Sequence, residues 1–398
     1  MTDEVASSNG DSGFTRLDRF GASETKPSGV DTPVKRSRQF AAAALLLSLL
    51  PFILVGCKTD LSDELPVQQA VDELLEEMTS MDGGGVAVAV NRGGEPVVRS
   101  SLGLTDRQRG TPMTTETPSY IASLSKPITA LLILQLHNED ILSLDAPISR
   151  HLPDLPTSIG AVTARQLLTH QAGVPNWIKL AGGRTQCLKE LAGTTNDDVV
   201  RMLIGHGRLD FEPETDAEYS NGGYVLLARL AEAASGSSMA ALVEDRLATP
   251  LGLDATWVVT EDTPDPFLRA IGTKRNGTVC DYGLWTTGAG GIAASAEDLL
   301  VIGDAWQDAG LLPPELVEEA FSPTGPALSD DAVGHGLGWF VSERTQGRVV
   351  WHTGHYAGFV NVWVLAPEAN LTIVVLSNGS ISRATDIADR LLEHPDLQ

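Results

Sequence analysis

The sequence predicts a mixed α/β (α+β) fold, in which an antiparallel sheet is flanked by helices and interrupted by an inserted all-helical domain. Strand patterns occur near the start of the chain, at 86–102, and return only near its end, at 348–376. The stretch between them is rich in helical patterns. We therefore expect the two ends to build one sheet, with α/β parts at about 67–122 and 286–394 and a helical insert at about 123–285.

The first α/β part begins with a predicted helix over 67–78, where apolar residues recur at helical spacing. Glycines at 83–85 end this helix. The apolar run 86–90 favours a buried strand, and 97–102 returns as a second strand after the turn residues 91–94.

The middle of the chain is predicted to be helical, and strands resume late. The apolar run after Lys126 predicts a helix from about 124 to 137. Further helices are expected at 163–169, 196–204, 223–235 and 237–247, followed by a strand at 348–351, a hairpin of 359–365 and 371–376, and a last helix at 383–392.

The segment before the predicted domain has the order of an export signal. Residues 1–39 form a polar leader that ends in a basic cluster, and 40–56 carry no charge before Cys57. This order resembles a bacterial lipoprotein signal (40–57), which implies cleavage before Cys57 and lipidation of its sulfur. The alternative is an anchor helix, but such a helix needs about 20 apolar residues and tolerates Pro51 poorly.

On this reading, 58–66 is a linker, 67–394 is the folded domain, and the protein is exported and lipid-anchored in the bacterial cell envelope. The formal net charge of −24 repels phosphate backbones, so nucleic acid is not an expected partner. The three cysteines lack the spacing of a zinc site. Cys187 and Cys280 either form a disulfide in the exported domain or remain two free thiols.

Ser123-Leu124-Ser125-Lys126 is the first motif that indicates chemistry. Pro127 is compatible only with the first turn of a helix, so Ser123 and Lys126 are expected on one helix face, within hydrogen-bond reach. A serine needs a base beside it to act as a nucleophile, and a lysine can be that base if burial lowers its pKa. Chance matches to this short pattern are common.

Two further motifs follow. Tyr219-Ser220-Asn221 precedes the helix near 223, and could supply a phenol to relay a proton and an amide to bind substrate; otherwise it is a loop with a core tyrosine. His352-Thr353-Gly354 follows the strand 348–351, where Gly354 would let a substrate lie against the strand edge. The alternative for this motif is a strand end with a surface histidine.

Together, and in this order, the three motifs resemble the serine β-lactamase and penicillin-binding-protein family, in its class C β-lactamase-like branch. The resemblance covers about residues 65–380 and includes 118–136, 144–153, 166–173, 219–228, 250–253, 288–292 and 336–339. It implies a β-lactamase/transpeptidase-like fold with the site in a cleft between the α/β and helical parts.

The resemblance also implies a role for each matching residue. Ser123 would be the nucleophile, Lys126 the general base and Tyr219 the proton relay. Asn221 would bind substrate together with His352, Thr353, Gly354 and His355, and the backbone N–H groups of Ser123 and His355 would form the oxyanion hole.

This chain departs from the family pattern at two positions. His352 replaces the lysine of Lys-Thr-Gly, a variant associated with esterases and peptidases, and His355 stands where a small residue is usual, so its side chain is expected to crowd the cleft. His352 and His355 have no evident carboxylate as a third ligand, so neither a metal nor another cofactor is predicted. His170 and His206 are expected to be structural.

The sequence therefore predicts a serine hydrolase that forms an acyl-enzyme with an ester, amide or D-peptide substrate in the cell envelope. A class C-type β-lactamase and a D-alanyl-D-alanine carboxypeptidase remain open, as does a non-catalytic envelope binding module on the same fold. The expected partners are a small-molecule or peptidoglycan-derived substrate and the membrane, through the lipid anchor. The protein is expected to be a monomer.

Overall fold

Strands from both ends of the chain meet in one antiparallel sheet of seven strands. The structure, a computed structural model, describes residues 65–82, 84–182, 191–261, 263, 269–273, 278–279, 285–308, 310–379 and 384–398. Its strands are β1 (Val86–Arg92), β2 (Glu95–Leu102), β3 (Leu104–Asp106), β4 (Thr111–Pro112), β5 (Ser119–Tyr120), β6 (Trp257–Val258), β7 (Ile292–Ala294), β8 (Gly334–His335), β9 (Phe340–Arg344), β10 (Gly347–Tyr356), β11 (Phe359–Ala366) and β12 (Leu371–Ser377).

The order of the large sheet is β2-β1-β12-β11-β10-β9-β8, so the last strand in the chain lies beside the first. Val86 lies opposite Ser377 in this antiparallel pair. Along β1, Val88 and Val90 pack into one apolar layer, whereas Ala87 and Ala89 pack into the other. The uninterrupted apolar run of β1 thus reflects a strand that is covered on both faces.

The helices of the described residues either cover the two faces of this sheet or pack on one another in the helical part. They are α1 (Val67–Asp82), α2 (Ser125–Asn138), α3 (Thr157–Gly160), α4 (Ala164–Leu168), α5 (Trp177–Leu180), α6 (Asn196–His206), α7 (Asn221–Ser235), α8 (Met239–Val243), α9 (Thr249–Leu251), α10 (Ala296–Gln307), α11 (Pro314–Ala320) and α12 (Ala384–Glu393). A turn of π-helix, Glu244–Ala248, joins α8 to α9.

α1 packs on β2 and α12 on β11 and β12, while α10 packs on β1 and β12 from the other side. Beyond α10, the apolar core continues into the helical part, where α2 packs against α7. α2 has no polar face, because its residues from Ser125 to Leu136 are all buried. The helix that follows Ser123 is therefore central to the fold.

The predicted fold class is confirmed, with one correction to the insert. The segment 123–285 is not wholly helical, because β6 pairs with β7, which in turn pairs with β5, in a small three-stranded sheet. These strands have only two or three residues each, too few to give a readable sequence pattern. The small sheet ties the end of the helical part to the residues just before Ser123.

Candidate active site

Ser123 lies in a tight turn immediately before α2. The turn is the 3-10 helix Ala122–Leu124, in which the N–H of Leu124 donates to the carbonyl oxygen of Ile121 at 3.2 Å. Ala122 has a φ of 52°, a left-handed conformation that is unfavourable for a residue with a Cβ. Such strain persists only where the surrounding structure enforces it, and it often marks functional sites.

Lys126 is completely buried and has three hydrogen-bond partners. Its Nζ lies 3.1 Å from Ser123 Oγ, 2.8 Å from Asn221 Oδ1 and 2.8 Å from the carbonyl oxygen of Ala289. The predicted reach between Ser123 and Lys126 is thus present. Burial lowers the pKa of Lys126 well below its ordinary value, because the ammonium form loses the solvation that it has in the unfolded chain.

The partners of Lys126 determine where a neutral amine would point. The oxygens of Asn221 and Ala289 can only accept hydrogen bonds, and a neutral amine has two hydrogens and one lone pair. Those two oxygens use both hydrogens, which leaves the lone pair facing Ser123 Oγ. In this state Ser123 donates its hydroxyl proton to Lys126, which is the arrangement that general-base catalysis requires.

Tyr219 contacts both Ser123 and Lys126. Burial raises the pKa of its phenol above the ordinary value, and a side-chain hydrogen bond with Ser123 opposes that rise. The Lys126 Nζ lies 4.7 Å from the centroid of the tyrosine ring. Because the phenol stays protonated while the lysine loses its proton readily, this geometry favours Lys126 as the base and Tyr219 as a proton relay.

Asn221 is the first residue of α7, and the preceding residue caps that helix. The Ser220 hydroxyl accepts a hydrogen bond from the N–H of Gly223 at 3.1 Å. The Asn221 amide can therefore project from a fixed helix end towards Lys126. It also lines the cleft, so one side chain contacts both Lys126 and the cleft.

The His352 motif belongs to β10, which continues to Tyr356. Side chains alternate along the strand, so Thr353 and His355 line the cleft while His352 and Gly354 face the other way. A Cβ on Gly354 would lie 2.3 Å from the carbonyl oxygen of Ile121, so only glycine lets β10 approach the Ser123 turn this closely.

His352 therefore does not line the cleft in which it was expected to bind substrate. Its side chain is 1% exposed, its Nδ1 lies 2.7 Å from the carbonyl oxygen of Thr353, and it is absent from the cleft lining. The centroid of its ring lies 6.2 Å from that of the Tyr219 ring. Burial, with Lys126 nearby, lowers its pKa well below the ordinary value, so the imidazole is neutral.

Two groups near Lys126 were not singled out in the sequence. His335 is fully buried near Lys126, and burial lowers its pKa to about 4. Its two-residue strand offered no pattern to identify it. The carbonyl oxygen of Ala289 accepts a hydrogen bond from Lys126 Nζ. Because this oxygen belongs to the backbone, the glycine-rich stretch 288–292 was the only sequence signal for it.

The catalytic candidates open onto a cleft of about 290 Å³. No lysine, arginine, aspartate or glutamate side chain is among the described residues that line it. Burial lowers the pKa of His355, the histidine on its wall, and so favours the neutral ring. The lining consists of Tyr120, Ala122, Ser123, Trp177, Ile178, Tyr219, Asn221, Thr286, Ala289, Gly290, Thr353, His355 and Tyr356.

Over residues 67–395 the sequence matches the family described as beta-lactamase. The chain belongs to the beta-lactamase family. A penicillin-binding protein of Bacillus subtilis (strain 168) is 29% identical over 332 residues, which are 78% of this chain and 71% of that protein. Protein flp of Staphylococcus aureus (strain MW2) is 26% identical over 346 residues, which are 83% of this chain and 66% of that relative.

Solved structures of similar fold include D-amino acid amidase from Ochrobactrum anthropi SV3 in complex with L-phenylalanine amide. Its TM-score is 0.71 at 24% identity, over 82% of this chain and 98% of the amidase. The octameric penicillin-binding protein homologue from Pyrococcus abyssi also has a TM-score of 0.71 at 24% identity, over 82% and 77% of the two chains. At these identities, the likeness demonstrates the fold alone.

Membership of the beta-lactamase family confirms the predicted serine hydrolase, and the structure brings Ser123, Lys126, Tyr219 and Asn221 together. The individual roles of these residues, and the oxyanion hole, remain predictions. Among the described residues, no cluster of three or more His, Cys, Asp or Glu side chains could hold a metal ion. Cys57, Cys187 and Cys280 lie outside the described residues.

None of the helices that the structure describes has both the length and the apolar character to cross a bilayer.

Proposed function

We propose that this beta-lactamase-family hydrolase acts on amides and esters that carry no charge beside the scissile bond, including amides of D-amino acids and of D-peptides. The observation that carries the proposal is the cleft lining, which offers no formally charged side chain among its described residues. The catalytic groups suit any acyl carbonyl, so the walls of the cleft select the substrate.

Acylation would proceed by attack of Ser123 Oγ on the carbonyl carbon while its proton moves to Lys126 Nζ. The tetrahedral oxyanion would be stabilised by backbone N–H groups. When the bond to the leaving group breaks, the proton is returned through Tyr219 to the departing nitrogen or oxygen. The products of this half-reaction are an ester on Ser123 and a neutral amine or alcohol.

Deacylation would reverse the roles of nucleophile and leaving group. Lys126, again neutral, takes a proton from water, and the resulting hydroxide attacks the ester on Ser123. The ester bond breaks, the proton returns to Ser123 Oγ, and the acid product leaves. Tyr219 is suited to the relay in both half-reactions because its pKa is raised and its hydroxyl stays protonated.

The described lining of the cleft, which offers no charged side chain, disfavours a carboxylate next to the scissile bond, as in β-lactams and in D-alanyl-D-alanine termini. Where the family pattern has a lysine, this chain has a buried neutral imidazole. A charge-assisted hydrogen bond is roughly twice as strong as a neutral one. The loss of such a bond between a lysine and the substrate carboxylate should cost about 1–2 kcal/mol, or roughly tenfold in affinity for that substrate.

The direct test is a matched pair of N-acetylated D-alanyl-D-alanine peptides, one ending in a carboxylate and the other in a carboxamide. We expect kcat/KM to be roughly tenfold higher for the carboxamide, because only the carboxylate lacks its charge partner. Ser123→Ala, with the nucleophile removed, is the control for both. Preference for the free carboxylate, or nitrocefin turnover that matches the best substrate, would contradict the proposed specificity.

We propose further that the enzyme is exported and held in the cell envelope by a lipid on Cys57. The support is the sequence order of basic cluster, apolar run and small residues before Cys57. Cys57→Ser should move the protein out of the membrane fraction and abolish incorporation of labelled palmitate. A wild-type protein that fractionates with the cytoplasm would refute this location. The monomeric state also remains a prediction, which a sedimentation-velocity experiment would test.

A further inference from the structure

His170 holds the Tyr219 loop on both sides of the tyrosine. Its carbonyl oxygen accepts a hydrogen bond from the N–H of Glu218 at 3.1 Å, and its Nδ1 accepts one from the N–H of Ser220 at 3.1 Å. Its ring lies against that of Tyr219, with 4.5 Å between the ring centroids. One residue thus fixes the backbone before and after the proton relay and supports its ring.

The hydrogen bond from Ser220 defines the chemical state of His170. A backbone N–H can only donate, so Nδ1 carries a lone pair and the proton of the neutral imidazole lies on Nε2. Within the described residues, Nε2 has no hydrogen-bond partner, so the bond to Ser220 is the one that orients the ring. Burial lowers the pKa of His170, and nearby His335 and Lys126 lower it further.

The backbone conformation of His170 directs both its carbonyl oxygen and its imidazole towards the loop 218–221. It follows α4 with a φ of 59°, in the left-handed region. Among residues with a side chain, asparagine and aspartate tolerate this conformation best, and histidine is also enriched there. Asparagine in addition carries an acceptor oxygen near the position of a histidine Nδ1, which provides a conservative replacement.

The position of the loop 218–221, which His170 holds, determines where the groups around Lys126 lie. Ser220 caps α7, and Asn221 begins that helix and accepts from Lys126. A shift of Ser220 would displace Tyr219 and Asn221 together, and both contact the Ser123–Lys126 pair. A misplacement of about 1 Å can cost on the order of 10²-fold in rate.

We infer that His170 is a positioning residue for acyl transfer, whose neutral imidazole fixes the loop 218–221 so that Tyr219 and Asn221 meet Ser123 and Lys126. The inference rests on the proposed acyl-transfer function. It goes beyond the structural role expected from the sequence, because it assigns the effect of His170 to the chemical step rather than to stability.

The test separates the acceptor from the ring. His170→Asn keeps an acceptor but loses the ring, whereas His170→Phe keeps a ring but loses the acceptor. The matched control is His394→Phe, since His394 is also buried and its Nδ1 accepts from the N–H of Asp396 at 3.2 Å, yet it lies outside the cleft lining. The readouts are the rate at which a fluorophosphonate labels Ser123, kcat and KM on the best substrate, and Tm.

We expect His170→Phe to lower kcat and the labelling rate by on the order of 10²-fold with KM little changed. His170→Asn should retain most of the rate, and His394→Phe should lower Tm while labelling at the wild-type rate. If His170→Phe does not fold, His170→Ala replaces it, because it lacks the ring just as His170→Asn does and differs in the acceptor.

Tyr219 provides a second criterion. In a Tyr219→Phe background, His170→Phe should cost less than in the wild type, because the part of its effect that passes through the tyrosine is already lost and only the part through Asn221 remains. Wild-type labelling in His170→Phe, or equal losses in the asparagine variant and in the acceptor-free variant, would overturn the inference while the proposed function stands. A wild-type protein that is not labelled at Ser123 would overturn the proposed function, and the inference with it.

Discussion

The Oδ1 atom of Asn221 lies 2.8 Å from the Nζ of Lys126, although the two residues are 95 positions apart in the chain. The carbonyl oxygen of Ala289 holds the same nitrogen from a third segment. Lys126 therefore acquires both contacts only when α2, α7 and the residues before β7 have assembled. Its chemistry depends on tertiary structure as much as on the local spacing of Ser123 and Lys126.

Ser123 and Lys126 should behave as one catalytic unit. We expect Ser123→Ala to abolish turnover and Lys126→Ala to lower kcat by orders of magnitude, with the fold retained. Because neither residue works without the other, the double variant should be little worse than either single variant. Steady-state kinetics of the three variants measures this, and strictly additive losses would show that the two act independently.

Lys126 should also make stability depend on pH. Because its pKa is lowered in the folded protein, the unfolded chain binds a proton that the folded protein lacks, between that lowered pKa and the ordinary value near 10.4. Stability should therefore rise with pH in this window, by at most about 1.4 kcal/mol per pH unit.

Lys126→Met removes this contribution and serves as the comparison. Urea unfolding of both proteins at about pH 7.5 and about pH 9.5 should show the wild type gaining stability relative to the variant at the higher pH. Free energies of unfolding that change in parallel would mean that Lys126 is protonated in the folded state.

Gly354 should be required for activity because of the close approach of β10 to the Ser123 turn. A Cβ at this position would meet the carbonyl oxygen of Ile121 at 2.3 Å, so Gly354→Ala must displace that turn or the strand. We expect kcat/KM to fall by about 10²-fold. The matched control is Gly205→Ala in α6, where a Cβ would meet nothing within 4 Å; it should keep full activity and gain about 0.5–1 kcal/mol in stability. Equal activities of the two variants would contradict this reading of the contact.

His352 should remain neutral over the working pH range of the enzyme. Burial and the neighbouring Lys126 lower its pKa well below the ordinary value of 6.5. The ratio of kcat/KM for the carboxylate and carboxamide peptides should therefore be the same at about pH 6 and about pH 8. A relative gain of the carboxylate peptide at the lower pH would indicate that a histidine becomes charged beside the substrate.

The possible disulfide between Cys187 and Cys280 concerns residues outside the described ranges. The segments that follow each cysteine meet where the N–H of Trp285 donates to the carbonyl oxygen of Thr194 at 3.0 Å. A bridge closing a loop of this size could stabilise the protein by roughly 4 kcal/mol on the chain-entropy model. Thiol titration of unfolded, unreduced Cys57→Ser protein should find no free thiol, and two reactive thiols would disprove the bridge.

The helices that the sequence predicted best are those with long apolar repeats, such as α1, or with strong capping, such as α6. α6 has a capping box of Thr195 with Asp198 and ends at Gly207 in the left-handed conformation. β8 and β9 pair with strands that are close in sequence, since Gly334 lies opposite Val341 and Gly347 opposite Arg344. They were missed because two and five residues are too few to give a readable alternation of apolar and polar side chains.

At the site, local spacing was enough for Ser123 and Lys126, whose hydrogen bond lies within one helical turn. His352 was misplaced because the strand was expected to end at Trp351, whereas β10 continues to Tyr356 and its alternation turns the imidazole away from the cleft. The role of His170 depends on contacts with residues about fifty positions away, and no local pattern encodes such contacts.

The position of β12 has a consequence for biosynthesis. Because β12 lies between β1 and β11, a growing chain that lacks residues 371–377 exposes two unpaired strand edges and has no complete sheet to hold Gly354 against the Ser123 turn. Ser123, Lys126 and Tyr219 are all synthesised long before that strand. We therefore expect hydrolytic activity to appear only after residues 371–377 have paired with β1 and β11, so a chain that lacks them carries Ser123 in an inactive form.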